Sequence, residues 1–301
     1  MPDASSAGLP GAVGFIGLGR MGGPMARRLA AAGVSVRGHD TAPRPGLADV
    51  VTFVEKAAEV ADGVGAVILM LPDSNVVDAV VRGTGLLDAL APGTVLVDMG
   101  SSEPLRTRSL ADEVAARGAT LVDAPVSGGV KGAEAGSLTI MVGGPDEQVA
   151  AVTPLLDVLG RVRHIGPVGA GHALKALNNL MSAAHLVASS EALLAGQRFG
   201  IDPAVMLDAV NTSSGRSGST ENKWPNYVLP GTYDSGFALA LMLKDIRIAL
   251  GLVEATGVPS AHAARTVELW AEAAAALDPD ADHTEIVRWL ERKGCDLPGE
   301  G

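Results

Sequence analysis

Cysteine is almost absent from this 301-residue sequence, and aromatic residues are scarce. The single cysteine, Cys295, excludes an intrachain disulfide and a cysteine metal cluster, a pattern typical of a reducing compartment, and we expect a cytoplasmic protein. Aromatic residues make up only 3% of the chain, so Ala, Val and Leu have to build its core. No uncharged apolar run approaches the ~18 residues of a membrane span. Residues 1–11 lack the features of a signal peptide and are expected to form a flexible tail.

The chain also has fewer basic residues than acidic residues. The chain has 23 Lys and Arg against 34 Asp and Glu, a formal net charge of -11. This balance argues against a nucleic acid or an anionic membrane as partner, and a small anionic substrate would need a local basic site. The six histidines show no pair with metal-ligand spacing, so no metal site is predicted.

A short apolar run leads into a glycine-rich turn near the start of the chain. Residues 13–17 are predicted to form a strand, and a helical pattern continues to Ala32. Gly17 permits the turn, Gly19 lets the backbone approach a pyrophosphate, and Gly22 lets the helix pack on the strand. These features predict a dinucleotide-binding loop. Its expected cofactor contacts are Gly17, Leu18, Gly19, Arg20, Met21 and Gly22.

An acidic residue ends the second predicted strand. Asp40 follows the glycines by about 20 residues, where a carboxylate can hydrogen-bond the ribose hydroxyls of the cofactor. The same carboxylate would repel the 2′-phosphate of NADP. We therefore expect NAD as cofactor, with NADP as the alternative because Arg37 and Arg44 are close in sequence.

Further apolar runs alternate with helical patterns as far as residue 168, and beyond Phe199 only helical patterns remain. The fold class predicted is an α/β Rossmann-type doubly wound sheet followed by an all-α C-terminal domain, joined by a long interdomain helix. The expected limits are 12–168 for the dinucleotide-binding domain, 169–198 for the helix and 199–301 for the substrate and oligomerisation domain. The later strands are predicted at Val51–Val54, Ala66–Leu71, Thr94–Asp98, Thr120–Val126, Leu138–Val142 and Val162–Ile165. Loops that follow the carboxyl ends of such strands form ligand crevices, which makes Leu71, Pro72 and Ser101 candidate cofactor contacts.

The predicted interdomain helix carries one charge among small and apolar residues. Lys175 and Asn179 are four residues apart, so they share one face and can act on one ligand. The helix is expected to be buried along most of its length, with Met181 in an apolar stripe. Upstream, Ser127, Gly128 and Gly129 can present a hydroxyl and closely spaced N–H groups to a carboxylate.

Four stretches together resemble one known family. They are residues 15–26, Asp123–Ala133, Gly169–Asn179 and Lys244–Leu250. In this order and spacing they are similar to the β-hydroxyacid dehydrogenases, which include 3-hydroxyisobutyrate dehydrogenase, tartronate semialdehyde reductase and, more distantly, 6-phosphogluconate dehydrogenase. The sequence departs from many members at Gly100, where they have a hydroxyl residue.

The resemblance implies an NAD(P)-dependent oxidoreductase of a small β-hydroxy acid similar to 3-hydroxyisobutyrate, giving the semialdehyde or keto acid. It implies that Lys175 is the catalytic general acid and base, that Asn179 holds the substrate beside it, and that Phe237 and Lys244 lie near the nicotinamide. A lysine accepts a proton only when neutral, and burial lowers a lysine pKa. Residues 211–220 are predicted to form a polar loop that sets substrate choice.

Two other functions remain open, an imine reductase of the same architecture and a non-catalytic NAD-binding module. The presence of Lys175 counts against the first, because relatives of that activity usually carry another residue there. Its combination with Asn179 and Ser127 counts against the second. The apolar helix and the Ala-rich segment Ala261–Ala276 further predict a homodimer or homotetramer.

Overall fold

The computed structural model describes residues 8–295, which form two compact units. The first unit ends at Lys175 and the second begins at Ala176. The boundary falls inside a single long helix, where a long helix was predicted from the sequence. The expected domain limits at 168 and 198 stay a prediction, and most of the tail predicted at residues 1–11 lies outside the described residues.

The first unit contains a largely parallel sheet with helices on both faces. Its strand order is β3-β2-β1-β4-β5-β6-β8-β7, with β9 paired to β8. The strands are β1 (Ala12–Ile16), β2 (Ser35–His39), β3 (Val51–Phe53), β4 (Ala66–Leu69), β5 (Val95–Asp98), β6 (Thr120–Asp123), β7 (Val126–Ser127), β8 (Leu138–Gly143) and β9 (Gly160–Gly166). The helices are α1 (Gly22–Ala31), α2 (Ser74–Gly83), α3 (Leu86–Ala89), α4 (Pro104–Ala115), α5 (Gly129–Ala135) and α6 (Asp146–Asp157). Short 3₁₀ turns cover Pro45–Leu47 and Ala57–Ala61.

Two apolar clusters, one on each face of the sheet, form the core of this unit. Because side chains of a strand alternate between faces, Phe15 packs in one cluster and its neighbour Ile16 in the other. Ile68 and Val67 of β4 divide in the same way. This alternation buries both sides of the strands, which confirms the predicted doubly wound α/β sheet.

The sheet departs from the prediction at its far edge. The single strand expected at Thr120–Val126 is two strands, β6 and β7, because Pro125 has no N–H to donate to a ladder. β8 runs antiparallel to both of them, so the sheet is mixed. Helices α5 and α6 had no bounds assigned from the sequence.

The second unit is helical, as predicted. A cluster around the buried Trp270 forms its core. The long helix α7 (Ala170–Arg198) runs into this unit, and the other helices are α8 (Pro203–Asn211), α9 (Leu239–Ala255), α10 (Ala261–Ala276) and α11 (Ile286–Cys295). A 3₁₀ turn at His283–Glu285 precedes α11.

Two expectations about the second unit were wrong. The polar loop predicted at 211–220 ends early, because a π-helical segment, Ser219–Val228, begins inside it. Helix α7 is not buried along most of its length either. Met181, predicted to lie in an apolar stripe, is 51% exposed.

Candidate functional site

The glycine turn after β1 brings backbone atoms into close contact. Gly17 has a φ of +91°, and a Cβ there would collide with the carbonyl oxygen of Met70. A Cβ on Gly22 would collide with the Gly17 carbonyl, whereas one on Gly19 would meet nothing nearer than Arg44 Nη2 at 3.7 Å. Helix α1 has neither a side-chain cap nor an acidic residue in its first turn. The N-terminus of α1 is therefore open to an anion, as the pyrophosphate of a dinucleotide requires.

Asp40 is joined to this turn by a hydrogen bond. Its Oδ2 accepts from the Leu18 N–H at 2.7 Å, and its Oδ1 accepts from the Ala42 N–H at 2.8 Å. Arg44 Nε lies 3.3 Å from Asp40 Oδ2. Burial alone would raise the pKa of Asp40, but these hydrogen bonds and Arg44 outweigh it and hold the pKa below its usual value. A carboxylate at the end of β2 is thus fixed beside the glycine loop and stays ionised.

The two arginines considered for NADP binding have different surroundings. Arg37 donates to the backbone carbonyls of Glu59 and Asp62 and does not pair with Asp40. Of the two arginines, Arg44 is the one that contacts the Asp40 carboxylate. Recognition of a 2′-phosphate at this position would therefore depend on Arg44.

The ends of β4 and β5 carry the other predicted cofactor contacts of this unit. Leu71 and Pro72 follow β4, and Ser101 follows β5. Asp98 shapes the second of these loops, because its carboxylate accepts from the Gly100 N–H at 2.9 Å and the Ser102 hydroxyl at 2.7 Å.

The departure from the family pattern at Gly100 has a steric reason. A Cβ there would stand 2.5 Å from the carbonyl oxygen of Leu71, closer than side chains are found to backbone. A hydroxyl residue at position 100 would therefore require the two loops to move apart.

Asp123 caps the start of α7 from the end of β6. Its Oδ1 accepts from the Gly169 N–H at 2.6 Å and its Oδ2 accepts from the His172 N–H at 2.8 Å. Glycine makes room for this carboxylate, because a Cβ on Gly171 would stand 2.9 Å from Asp123 Oδ2 and one on Gly143 would stand 2.5 Å from Oδ1. Burial raises the pKa of Asp123, although nearby His172 and the backbone donors lower it in part. The cap fixes the first turn of α7 relative to the sheet.

Ser127, Gly128 and Gly129 lie one strand further on. Ser127 pairs with Thr139 of β8, and α5 starts at Gly129. The φ angles of Gly128 and Gly129 are +128° and +61°, conformations that side-chain-bearing residues rarely adopt. Both glycines are exposed, and a Cβ on Gly129 would meet nothing within 4 Å. The backbone here is accessible to a small anion such as a carboxylate.

Lys175 and Asn179 lie on successive turns of α7 and are both buried. Their exposed fractions are 8% and 6%. Lysine and asparagine are rarely this buried, because their polar groups lose water contacts. Their shared helix face, predicted from spacing, is confirmed by the continuous helix.

In the second unit, Asn179, Asp245 and Lys244 form a connected group. Asn179 Nδ2 donates to Asp245 Oδ2 at 2.7 Å, and Lys244 Nζ lies 3.3 Å from Asp245 Oδ1. Asp245 is only 2% exposed. The structure thus brings two predicted site residues, Asn179 and Lys244, to one carboxylate.

Phe237 lies just before α9, in a segment held by Asp282. That carboxylate accepts from the backbone N–H groups of Gly236 and Phe237 and from the Ser235 hydroxyl. Burial alone would raise the pKa of Asp282, but hydrogen bonds, that of His283 foremost, hold it well below its usual range. Asp282 therefore stays charged and positions Phe237.

Asp123 and Lys223 had no role assigned from the sequence. Asp123 lies in one of the stretches that resemble the family, but nothing in the sequence shows that it binds the N–H of Gly169, 46 positions later. Lys223 lies in the π-helical segment, and its Nζ donates to Ser182 Oγ of α7 at 2.7 Å. Burial lowers the pKa of Lys223 to about 8, although Asp282 opposes the shift.

The described residues offer neither a metal cluster nor a membrane span. Among residues 8–295, no group of three or more His, Cys, Asp and Glu side chains is arranged to hold a metal ion. Within the same range, no helix is both long enough and apolar enough to cross a membrane.

Known sequence families cover nearly all of the chain. Residues 12–169 match the family described as the NAD binding domain of 6-phosphogluconate dehydrogenase. Residues 169–290 match the family described as NAD-binding of NADP-dependent 3-hydroxyisobutyrate dehydrogenase. The cofactor is therefore a nicotinamide dinucleotide, NAD(P), which the open N-terminus of α1 fits.

Individual relatives agree with these families. A 2-(hydroxymethyl)glutarate dehydrogenase of Eubacterium barkeri is 37% identical over 294 residues, 95% of this chain and 97% of that protein. A 3-hydroxyisobutyrate dehydrogenase of Pseudomonas aeruginosa is 39% identical over 259 residues, 81% of this chain and 85% of that protein.

Solved structures show the same architecture. Mycobacterium tuberculosis 3-hydroxyisobutyrate dehydrogenase, solved with L-serine, is 31% identical with a TM-score of 0.89, covering 94% of this chain and 99% of that one. An imine reductase from Streptomyces aurantiacus, at 21% identity and a TM-score of 0.59 over 93% of this chain and 99% of that one, shares the fold alone. The chain belongs to the β-hydroxyacid dehydrogenase family, whose members are NAD(P)-dependent oxidoreductases of hydroxy acids.

Proposed function

We propose that this protein is an NAD-preferring dehydrogenase of a small β-hydroxy acid similar to 3-hydroxyisobutyrate, and that Lys175 is its general acid and base. The product is the corresponding semialdehyde or keto acid. The observation that carries the proposal is the burial of Lys175, which is 8% exposed on a helix whose first turn is capped by Asp123. A lysine held in such surroundings is suited to exchange a proton with a bound alcohol.

The role of Lys175 follows from the proton balance of the reaction. Oxidation of an alcohol removes a proton from oxygen and a hydride from carbon. The bound nicotinamide supplies the acceptor for the hydride. Lys175 Nζ takes the hydroxyl proton in this direction and returns it in the reverse direction.

The substrate carboxylate is assigned to Ser127, Gly128 and Gly129. The hydroxyl of Ser127 and the accessible backbone of the two glycines can donate to carboxylate oxygens. Asn179, one turn after Lys175, is assigned to the substrate as well. Its amide is already oriented by Asp245, which reduces the entropy lost when it binds.

The cofactor is assigned to the loops of the first unit, with Phe237 and Lys244 near the nicotinamide. Preference for NAD rests on Asp40, whose ionised carboxylate would repel a 2′-phosphate. The remaining assigned contacts are Gly17, Leu18, Gly19, Arg20, Met21, Gly22, Leu71, Pro72 and Ser101.

Turnover by purified wild type, Lys175→Met and Lys293→Met tests the proposal. NADH or NADPH formation is followed with 3-hydroxyisobutyrate, 2-(hydroxymethyl)glutarate, 3-hydroxypropionate, glycerate and serine. Lys175→Met should lower kcat by about 10² to 10⁴ while retaining NAD binding by calorimetry. The control removes an exposed lysine that pairs with Glu272 and should behave as wild type.

Three results would contradict the proposal. Equal turnover by wild type and Lys175→Met would remove Lys175 from the chemistry. Reduction of cyclic imines with no turnover of hydroxy acids would favour an imine reductase, and NAD binding without any turnover would favour a binding module.

The assembly of the chain is a separate proposal. Exposed apolar residues, including Met181 on α7 and Val205 on α8, are 51% and 62% exposed and would be covered in an oligomer. We expect a homodimer or homotetramer. A monomer mass by light scattering would overturn this expectation.

A further inference from the structure

Lys223 lies beside the helix that carries the proposed proton-transfer residue. Its Nζ donates to Ser182 Oγ at 2.7 Å. Ser182 follows Lys175 by seven residues and Asn179 by three, so all three lie on one face of α7. The Cα atoms of Lys175 and Ser182 are separated by about 10 Å along the helix axis. Lys223 thus places an amine two turns from Lys175 on the face that also carries Asn179.

The ammonium group of Lys223 has no close carboxylate. Within residues 8–295, no Asp or Glu carboxylate oxygen lies within 4 Å of Lys223 Nζ. By contrast, Lys244 and Lys293 each form such an ion pair. Asp282 and His283 act on Lys223 only from further away. The pKa of about 8, lowered by burial, leaves Lys223 mostly protonated at neutral pH. A partly buried cation whose hydrogen-bond partner is a neutral hydroxyl is suited to an anion supplied by a ligand.

We propose that Lys223 binds a second acidic group of the substrate, so that the preferred substrates are β-hydroxy dicarboxylic acids. This inference rests on the proposed function. The hydroxyl is assigned to Lys175 and the second carboxylate to Lys223, which contacts the same helix through Ser182. A monocarboxylic acid leaves the Lys223 ammonium without an anion, and a dicarboxylic acid neutralises it.

Kinetics of Lys223→Met and Lys223→Arg on the dicarboxylic and monocarboxylic acids of the panel test this assignment. Methionine has a similar length without the charge, and arginine keeps the charge. Wild type should favour the dicarboxylic acid. In Lys223→Met the ratio of the two kcat/KM values should fall about 10- to 100-fold, mainly through KM of the dicarboxylic acid, and Lys223→Arg should recover part of the loss. Lys293→Met is the matched control and should keep the wild-type ratio.

Calorimetry with glutarate, a dicarboxylate without the reacting hydroxyl, gives a readout that does not need turnover. Wild type with NAD should bind glutarate more tightly than Lys223→Met by a similar factor. An equal loss on both acids, or an unchanged ratio together with unchanged glutarate binding, would overturn the inference. Failure of wild type to turn over any hydroxy acid would overturn the proposed function instead, and glutarate binding would still decide the role of Lys223.

Discussion

The side-chain amide of Asn179 donates to Asp245 Oδ2 at 2.7 Å, between residues 66 positions apart in sequence. A carboxylate only accepts, so the NH₂ group of Asn179 has to face Asp245 and its carbonyl oxygen has to face away. That oxygen accepts from Asn178 Nδ2 at 3.3 Å. Asp245 therefore fixes which end of the Asn179 amide is available to a substrate.

Two replacements of Asp245 should distinguish its effect on the orientation of Asn179 from the effect of its own negative charge. In Asp245→Asn the amide oxygen can still accept from Asn179, so we expect a loss of about tenfold in kcat/KM. In Asp245→Ala the amide of Asn179 is no longer held in one orientation. We therefore expect kcat/KM to fall by about 100-fold, mostly through a higher KM.

Steady-state kinetics of both variants check this order. The matched control is Asp278→Ala, which removes an exposed carboxylate of the same unit and should have no effect. Equal losses in Asp245→Asn and Asp245→Ala would show that the charge of Asp245, opposite Lys244, matters more than the orientation of Asn179.

The cap on α7 gives a second prediction. Asp123→Asn replaces one accepting oxygen by an NH₂ group that faces a backbone N–H, so one of the two hydrogen bonds to Gly169 and His172 is lost. We expect the free energy of unfolding to fall by about 1 to 3 kcal/mol. Lys175 lies one turn after His172, so kcat should fall as well, by about tenfold.

Chemical denaturation and kinetics on the same preparations test both parts. Asp146→Asn is the control, because Asp146 also stands at a helix start but its side chain is 98% exposed. A loss of stability with unchanged kcat would show that the cap supports the fold without positioning Lys175.

Cofactor choice gives a third prediction, which depends on Asp40 and Arg44. Asp40→Ser removes the repulsion of a 2′-phosphate and frees Arg44 to bind it, so kcat/KM for NADP should rise by about 10- to 100-fold. The double variant with Arg44→Ala should lose this gain.

Arg37→Ala is the matched control in the Asp40→Ser background. Arg37 binds the backbone of Glu59 and Asp62, so its removal should leave the gain intact. Persistence of the gain without Arg44 would show that another group recognises the phosphate.

The sequence predicted the features that depend on neighbouring residues. The turn at Gly17 to Gly22 and the shared face of Lys175 and Asn179 follow from backbone geometry over a few positions, and both are confirmed. The two-faced sheet follows from continuous apolar strands, such as β4, and is also confirmed.

Features that depend on distant partners could not be predicted. Asp123 accepts from the N–H of Gly169, 46 residues later, and Lys223 contacts Ser182 across 41 residues. No local pattern encodes such pairs, because tertiary packing brings them together. The π-helical segment Ser219–Val228, which is polar and contains Pro225, was not predicted, and its first residues fell in the loop predicted at 211–220.

Stability against pH gives the last prediction, for Lys223→Met. The pKa of Lys223 is about 8 in the folded chain, below the usual lysine value of 10.5, so the folded state disfavours the ammonium. Between these two values the unfolded chain binds more protons, and the destabilisation is present below pH 8 and disappears as the pH rises towards 10.5. Lys223→Met should therefore raise the free energy of unfolding by about 1 to 3 kcal/mol at pH 7. Urea denaturation at pH 7 and pH 10 should show the gain shrinking at the higher pH. An equal gain in the free energy of unfolding at pH 7 and pH 10 would show that the gain comes from apolar packing of the methionine. A gain confined to pH 7 would show that the charged Lys223 costs stability, as is expected of a residue kept for binding.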